Sequence, residues 1–357
     1  MRTAALLMLC SSLAVQPAAA QVDEIGLDAV LIFYGDNTEF SNPFREGETL
    51  LGAYAVVFLE ARLSERLAVR GGAFGNQRFG SDQSFDEARP VLALVIGGPC
   101  QRLILGTLET MRRVDGPGPD RTGPHGLLPP VQRETLAFQR PWEAGLQWTV
   151  DSARVKQDAW VHWQRVNTPE RRELFDVGLT SRVIVRRSLA LADRRAARSP
   201  GWAAERCGPR RGQPRRGSRR RGRGAAGALD RLSLEAYALV SRYVPDRARP
   251  EDARTGFGTF LRAAVEEDGW RLHAILWRAC DFIKQEGDLH YQSLRRDATR
   301  YRGLRDYAEA GLTRTFRLAS RSSLEASARW HRVENDYEYS FRVLAVPSCA
   351  NGSGDQS

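Results

Sequence analysis

Several features that are common in enzymes and in helical membrane proteins are scarce in this sequence of 357 residues. It has only five cysteines and five histidines, and it contains no HExxH or CxxC motif, so we predict no metal site and no cofactor. After residue 20, no stretch approaches the ~20 apolar residues of a membrane-spanning helix. Hydrophobic residues still make up 42% of the chain, which excludes wholesale disorder.

The positive net charge of +10 is local. Twelve arginines lie between Arg194 and Arg223 with a single acid, Glu205. Without that segment the chain has 41 basic and 42 acidic residues, a net charge of about −1. A nucleic-acid-binding protein usually spreads its basic residues over a folded face. Nucleic acid is therefore not predicted as a partner.

The first twenty residues have the pattern of a cleaved export signal. Arg2 provides a short positive region, residues 4–15 are apolar, and the alanines of 18–20 fit the cleavage pattern. We therefore predict that the mature chain begins at Gln21 and is exported in a Gram-negative-type bacterium.

Apolar and polar residues alternate over long stretches of the mature chain. In 323–331, Leu324, Ala326, Ala328 and Trp330 fall on one face and polar residues on the other. Similar alternation is found in 155–164, 173–186 and 337–345. Such alternation predicts strands. About ten residues per strand is the length that a tilted membrane-spanning strand requires.

Short and long links alternate between the predicted strands. The strands are expected at 26–35, 49–63, 66–79, 88–97, 101–112, 142–151, 154–166, 173–185, 230–243, 255–266, 270–280, 303–317, 322–333 and 337–346. This rhythm is typical of outer-membrane barrels, which have short periplasmic turns and long external loops. Since the eighth strand descends and the strand at 230 ascends, two further strands between 188 and 229 would give sixteen.

Two segments do not fit this pattern. Residues 194–224 are rich in Arg and Gly and do not alternate, and three interpretations remain open. They are a disordered external loop, which would leave fourteen strands, an Arg/Gly-rich nucleic-acid-binding segment, or a reading-frame slip that replaced two strands. The abrupt return at Leu229 favours the slip, and the nucleotide sequence can test it. Residues 347–357 are predicted to be a disordered tail after a barrel domain of 21–346.

The signal, the strands and the link lengths together resemble those of bacterial outer-membrane porin-type barrels. The resemblance covers nearly the whole mature chain, but it includes no motif that names a substrate. It implies an all-β, transmembrane, antiparallel up-and-down β-barrel of about sixteen strands in the outer membrane. Outer-membrane lipid and the outer-membrane assembly machinery would be its partners, and a homo-oligomer is compatible with this architecture.

In general porins the third external loop folds inward and narrows the pore. The resemblance assigns that place to residues 113–141, whereas the alternative is a flexible external loop. The candidate constriction residues are Arg113, Asp115, Asp120 and Arg121.

The polar faces of the strands would line the barrel lumen. Acids and arginines are interleaved there, and charged rings set ion selectivity. The candidate pore-lining residues are Arg62, Lys156, Asp158, His162, Arg182, Arg271, Glu309, Glu325, Arg329 and Arg342. We therefore predict a passive channel for small polar or anionic solutes. Pairing of these charges with one another, which would simply fill the lumen, is the alternative for each residue.

No catalytic residue is predicted. Ser327 and His331 lie on one inferred face, but they are over ~13 Å apart along a strand, too far to form a catalytic pair. Residues 283–302 are expected to form a solvated external loop. The chain is predicted not to be an enzyme. A barrel hydrolase acting on lipid or envelope sugar, and a non-conducting structural barrel, are the alternatives.

Overall fold

The computed structural model describes residues 24–110, 124–183, 229–244, 249–319 and 322–346. These residues form a single sheet of fourteen antiparallel strands. The strands are β1 (Glu24–Glu39), β2 (Glu48–Ser64), β3 (Leu67–Arg78), β4 (Glu87–Gly98), β5 (Gln101–Thr107), β6 (Ala144–Asp151), β7 (Val155–Arg165), β8 (Leu174–Val183), β9 (Arg231–Tyr243), β10 (Arg254–Glu267), β11 (Trp270–Cys280), β12 (Arg305–Arg317), β13 (Ser323–Val333) and β14 (Asp336–Val346). The predicted all-β, up-and-down architecture is confirmed, and every strand end lies within five residues of its expected position. The helical segments of the described ranges are all too short or too polar to cross a membrane.

Consecutive strands pair with one another except β8 and β9, and β1 also pairs with β14. The edge strands of the described sheet are β8 and β9. Lys284, in the link after β11, approaches Asp176 on β8 to 3.7 Å, so the sheet curls far enough to bring its two halves together. The two strands expected between 188 and 229 lie outside the described residues. So do the predicted export signal and the predicted tail.

The two faces of the strands differ as the alternation predicts. On β14, Tyr337 is 80% exposed and Tyr339 is 46% exposed, whereas Glu338, Ser340 and Arg342 are buried. An apolar outward face and a polar inward face are the arrangement of a membrane barrel, because lipid surrounds the wall. The inward faces of the strands therefore hold the polar chemistry of this chain.

The links divide the barrel into two ends. Turns of two or three residues lie at 65–66, 99–100, 152–154 and 268–269, and we call this the short-turn end. The opposite, long-loop end carries the links 40–47, 79–86, 108–143, 166–173, 244–253 and 281–304, and also the two-residue turn 334–335 between β13 and β14. In outer-membrane barrels the long loops face the outside of the cell.

Two long links fold into the barrel at the long-loop end. The link between β5 and β6 contains a short helix, α1 (Leu136–Gln139), and its Phe138 ring stacks on Tyr34 of β1 at 5.0 Å. In the link between β11 and β12, Gln292 Nε2 donates to the Pro130 carbonyl at 3.0 Å, so the two links pack on each other. The prediction that residues 283–302 form a solvated external loop is therefore wrong. The central residues of this segment are buried because they pack against inward-facing side chains of the strands.

Candidate active site

Three neighbouring strands, β12 to β14, bring a polar cluster together on the inward face. In the strand register, Glu309 lies opposite His331, and Arg329 lies opposite Ser340. Side chains that are directly opposite or diagonal across antiparallel strands lie close enough to interact. This register therefore places a serine, a histidine and a carboxylate, all buried, side by side.

Hydrogen bonds connect these residues into a chain, which we call the Ser340 cluster: Ser340, His331, Tyr307 and Glu309. His331 Nε2 lies 2.8 Å from Ser340 Oγ, and His331 Nδ1 lies 2.7 Å from the Tyr307 hydroxyl. The Tyr307 hydroxyl donates to Glu309 Oε2 at 2.7 Å. Since Tyr307 uses its only proton on Glu309, its oxygen must accept from His331 Nδ1–H. The Nε2 atom of His331 is then free to accept the proton of Ser340.

Surrounding contacts fix the geometry of this chain. The second oxygen of Glu309, Oε1, lies 2.9 Å from His273 Nε2. A Cβ atom at residue 311 would lie 2.2 Å from Cε1 of His273, so glycine at that position leaves room for the ring. The Phe40 ring packs edge-on against His331, with centroids 5.0 Å apart. These contacts hold both Glu309 and the His331 imidazole in place.

Ser340 and His331 line a small, partly open cavity. The cavity lies between β1, strands β12 to β14 and the two inward-folded links. Ser340 is five residues from the turn at Asn335, which places it ~17 Å along the strand from the long-loop rim. The hydroxyl of Ser340 thus lies inside the barrel, where it borders the cavity.

Charged residues of both signs border the same cavity. Arg342 binds Asp36 at 2.7 Å and Glu134 at 2.7 Å, and Arg329 binds Glu134 at 2.8 Å. Burial alone would raise the pKa of the Glu134 carboxyl, but the guanidinium groups of Arg329 and Arg342 outweigh it and lower the pKa to about 2. Glu134 is therefore ionised at physiological pH.

Another buried histidine, His125, anchors the inward-folded β5–β6 link. His125 places Nδ1 2.9 Å from Asp158 and Nε2 3.1 Å from Glu143, and its ring stacks on Trp160 at 3.8 Å. Burial lowers the pKa of His125, but hydrogen bonds to Asp158 and Glu143 more than offset this and raise the pKa to about 9. Both ring nitrogens face carboxylates, so no nitrogen is left to activate a hydroxyl. We interpret this group, the His125 cluster, as an anchor of the link.

Another buried histidine, His290, borders the Ser340 cluster, with its ring centroid 5.4 Å from that of Tyr307. His290 Nε2 is 3.1 Å from the Asn42 amide, which also donates to Glu338 at 2.5 Å. Burial, followed by the positive charge of Arg45, lowers the pKa of His290 well below its usual value. A neutral His290 packs edge-on against Phe40, at 4.4 Å between ring centroids, and supports the ring that holds His331.

The candidate pore-lining residues occupy different surroundings. Glu309, Arg329 and Arg342 lie together at the cavity, and Asp158 and His162 lie in or beside the His125 cluster. The other members are distributed along the barrel: Arg62 3.1 Å from Glu24, Lys156 3.5 Å from Asp151, Arg271 3.7 Å from Glu266, Arg182 opposite Lys156 in the strand register, and Glu325 on β13. The four candidate constriction residues lie outside the described residues.

No motif in the sequence marks Ser340 or Tyr307 as a site residue. The alternation places both on inward faces, but the pairing of β13 with β14 decides which residues meet. Among the described residues, no group of three or more His, Cys, Asp or Glu side chains is arranged to hold a metal ion. The chemistry that the Ser340 cluster offers is proton transfer from a serine hydroxyl to an oriented imidazole.

The fold and the cavity define an outer-membrane β-barrel with a buried polar site. Comparison with protein-family models matches residues 18–192 and 217–345 to the lipid A 3′-O-deacylase-type family. The chain belongs to that family, and this confirms the predicted location in the bacterial outer membrane. Apart from Asp193, the unmatched residues 193–216 fall within the Arg/Gly-rich segment that does not alternate. The prediction that the chain is not an enzyme is wrong, because this is a family of deacylases.

Solved structures with a similar arrangement of strands are porin-type outer-membrane proteins. The OmpT loop L8 deletion mutant of Vibrio cholerae has a TM-score of 0.46 and 8% identity, covering 91% of this chain and 99% of that protein. OprD of Pseudomonas aeruginosa has a TM-score of 0.42 and 13% identity, covering 92% and 95%. OccK8 (OprE) of the same bacterium has a TM-score of 0.46 and 9% identity, covering 91% and 98%. The predicted resemblance to porin-type barrels is confirmed, and it concerns the fold alone. The sequence matches no curated protein.

Proposed function

We propose that this protein is an outer-membrane hydrolase that cleaves an acyl ester of lipid A or a closely related glycolipid. Two observations support the proposal. The chain belongs to a lipid A 3′-O-deacylase-type family. The Ser340 cluster places an oriented imidazole 2.8 Å from a serine hydroxyl that lines a cavity, and this single contact carries the assignment.

The proton arrangement of the cluster suits a serine nucleophile. His331 receives the Ser340 proton on Nε2, and the imidazolium that forms is stabilised through Tyr307 and by Glu309, whose Oε2 lies 3.6 Å from His331 Nδ1. A nucleophile, a base and a third group that orients the base are the parts that acyl transfer requires. Here the third part is a tyrosine and a carboxylate in series.

The reaction then proceeds in two steps. The Ser340 Oγ forms a bond to the ester carbonyl carbon, the bond to the sugar oxygen breaks, and His331 returns the proton to that oxygen. A water molecule then attacks the acyl-serine, with His331 again as the base, and releases the fatty acid. Arg329 lies opposite Ser340 in the register and lines the same cavity, so its guanidinium can stabilise the negative oxygen of each tetrahedral intermediate.

The contacts inside the barrel favour this function over a channel. Arg70 binds Glu60 and Glu109, and Arg102 binds Glu109, each at 2.7 Å, so the charges of these two acids and two arginines cancel. At the long-loop end, the described parts of the two links pack against inward-facing side chains and against each other. The predicted solute channel therefore has less support than the hydrolase.

The assignment is tested with a Ser340→Ala variant. We expect fatty-acid release from lipid A vesicles to fall at least about 10³-fold, because the nucleophile is lost. We also expect a fluorophosphonate reagent to label Ser340 in the unmodified protein. Ser327→Ala is the matched control. Ser327, on β13, is buried like Ser340, but its hydroxyl has no hydrogen-bond partner.

Two results would contradict the assignment. Full activity in Ser340→Ala would remove the serine from the mechanism. An equal loss in Ser340→Ala and Ser327→Ala would show that the activity reports barrel folding and not the nucleophile. Heat-modifiable migration in gels checks in each case that the barrel has formed.

A further inference from the structure

Arg329 and Arg342, which lie beside the proposed nucleophile, both bind Glu134, a residue of a link and not of the barrel wall. Glu134 belongs to the β5–β6 link, and its Oε2 atom accepts from Nη1 of Arg329 at 2.8 Å and from Nη1 of Arg342 at 2.7 Å. The side chains of Glu134 and Arg342 are 17% and 9% exposed. A carboxylate carried by a link thus reaches the inward face of β13 and β14.

This carboxylate does not use all the donors that the arginines present. The Nε atoms of both Arg329 and Arg342 are buried without a hydrogen-bond partner, and so is the hydroxyl of Thr135. Both contacts with Glu134 use Nη1, and each unpaired Nε–H lies on the guanidinium edge that it shares with Nη2. The two arginines therefore present more N–H donors than one carboxylate oxygen can accept.

A phosphate group fits this set of donors better than a carboxylate does. It carries more negative charge than a carboxylate near pH 7, and it presents three acceptor oxygens. Arginine binds phosphate through paired N–H groups. The site lies beside Ser340, because Arg329 is opposite Ser340 in the register and Arg342 is two residues further along β14.

We infer that Glu134 is an internal competitor that occupies, in the resting protein, the place of a phosphate group on the substrate between Arg329 and Arg342. The inference rests on the proposed function for the identity of the substrate. Binding of the substrate would displace the Glu134 side chain from the two arginines, while the anchored link around it stays in place.

The binding part is tested without any hydrolysis. Inorganic phosphate is titrated into the folded protein in detergent, and binding is measured by calorimetry. We expect Glu134→Gln to bind phosphate at least about tenfold more tightly than the unmodified protein, because the competing carboxylate charge is gone. Arg342→Gln should lose that binding. Glu286→Gln is the matched control, since Glu286 is also a link residue paired with an arginine, Arg140, at 2.6 Å. Its affinity for phosphate should not change.

A second arm separates a lipid phosphate from free phosphate. Fatty-acid release is measured on phosphorylated lipid A and on the same lipid after enzymatic removal of its phosphates. Glu134→Gln should lower KM about tenfold for the phosphorylated lipid and leave KM for the dephosphorylated lipid unchanged. An equal KM change on both lipids would show that Glu134 only restricts access to the cavity, and it would overturn the inference.

Failure of this inference is distinct from failure of the proposed function. If Ser340→Ala binds phosphate normally but does not hydrolyse lipid, the nucleophile assignment holds whatever Glu134 does. If Glu134→Gln binds phosphate no more tightly than the unmodified protein, the competitor is excluded while the hydrolase remains. Should Glu134→Gln fail to form a heat-modifiable barrel, Glu134→Asp provides the test. Its shorter side chain weakens the contacts with the two arginines, so it should bind phosphate more tightly than the unmodified protein. Unchanged binding in that variant would overturn the inference.

Discussion

His331 and Ser340 are nine residues apart in the chain and meet across the two-residue turn that joins β13 to β14. They are diagonal neighbours, since His331 lies opposite Glu338 and Ser340 lies opposite Arg329. A hairpin with a tight turn fixes its register strongly. The proposed nucleophile and base are therefore held together by a single β-hairpin, whose two strands are adjacent in the sequence.

The Tyr307 hydroxyl links His331 to Glu309, so its removal should weaken the base without moving the nucleophile. We expect Tyr307→Phe to reduce kcat about 10²-fold, because the imidazole loses the acceptor that orients it. KM should stay nearly constant. Steady-state hydrolysis of lipid A measures both values. Tyr301→Phe is the control, as Tyr301 binds Glu334 and does not contact the Ser340 cluster. An unchanged kcat in Tyr307→Phe would exclude the linking role.

Because His125 anchors the β5–β6 link, the barrel should become less stable at alkaline pH. The pKa of folded His125 is about 9, above the usual value of 6.5, so its contribution is complete below about pH 6.5 and is lost as the pH rises through about 9. A shift of this size corresponds to roughly 3 kcal/mol. Thermal unfolding, followed by heat-modifiable migration between pH 6 and 10.5, measures the loss. His125→Gln should unfold at a temperature that depends less on pH. The same slope in both proteins would refute the anchor.

The space beside His273 should not tolerate a methyl group. In Gly311→Ala, the new Cβ would lie 2.2 Å from the His273 ring, so the imidazole must move away from Glu309. We expect a loss of stability of about 1–3 kcal/mol, with a fall in activity, because Glu309 loses a partner. Gly71→Ala is the matched control, since a Cβ there meets nothing within 4 Å. Equal effects of the two substitutions would contradict the packing argument.

We expect the two inward-folded links to prevent ion flow through the barrel. The folded protein in a planar bilayer should produce no stable ohmic steps, because the links pack inside the barrel and the inward charges are paired. Ion selectivity measured on any steps would test the channel directly. Stable steps in protein that also shows heat-modifiable migration would favour the channel over the hydrolase. Porin-type barrels measured in the same bilayer provide the positive control.

The wall of the barrel could be predicted from the sequence because each strand carries its own signal. In β14, alternation alone places Tyr337 and Tyr339 outward and Glu338 and Ser340 inward, since the side chains of a strand alternate with period two. The same reasoning places Arg329 and Arg342 in the lumen. It could not predict that these charges are paired, because a pair such as Arg342 and Glu134 joins residues 208 positions apart.

The sequence by itself determined the strands, the faces that they present to lipid and lumen, and the rhythm of links that marks an outer-membrane barrel. Those properties are local, since period-two alternation and turn length are visible within a few residues. Only the tertiary structure decided that Ser340 meets His331, that Tyr307 stands between His331 and Glu309, and that residues 283–302 fold inward. Contacts of this kind depend on the register between strands and on how the links pack in the lumen, and neither of these can be inferred from the pattern of any single segment.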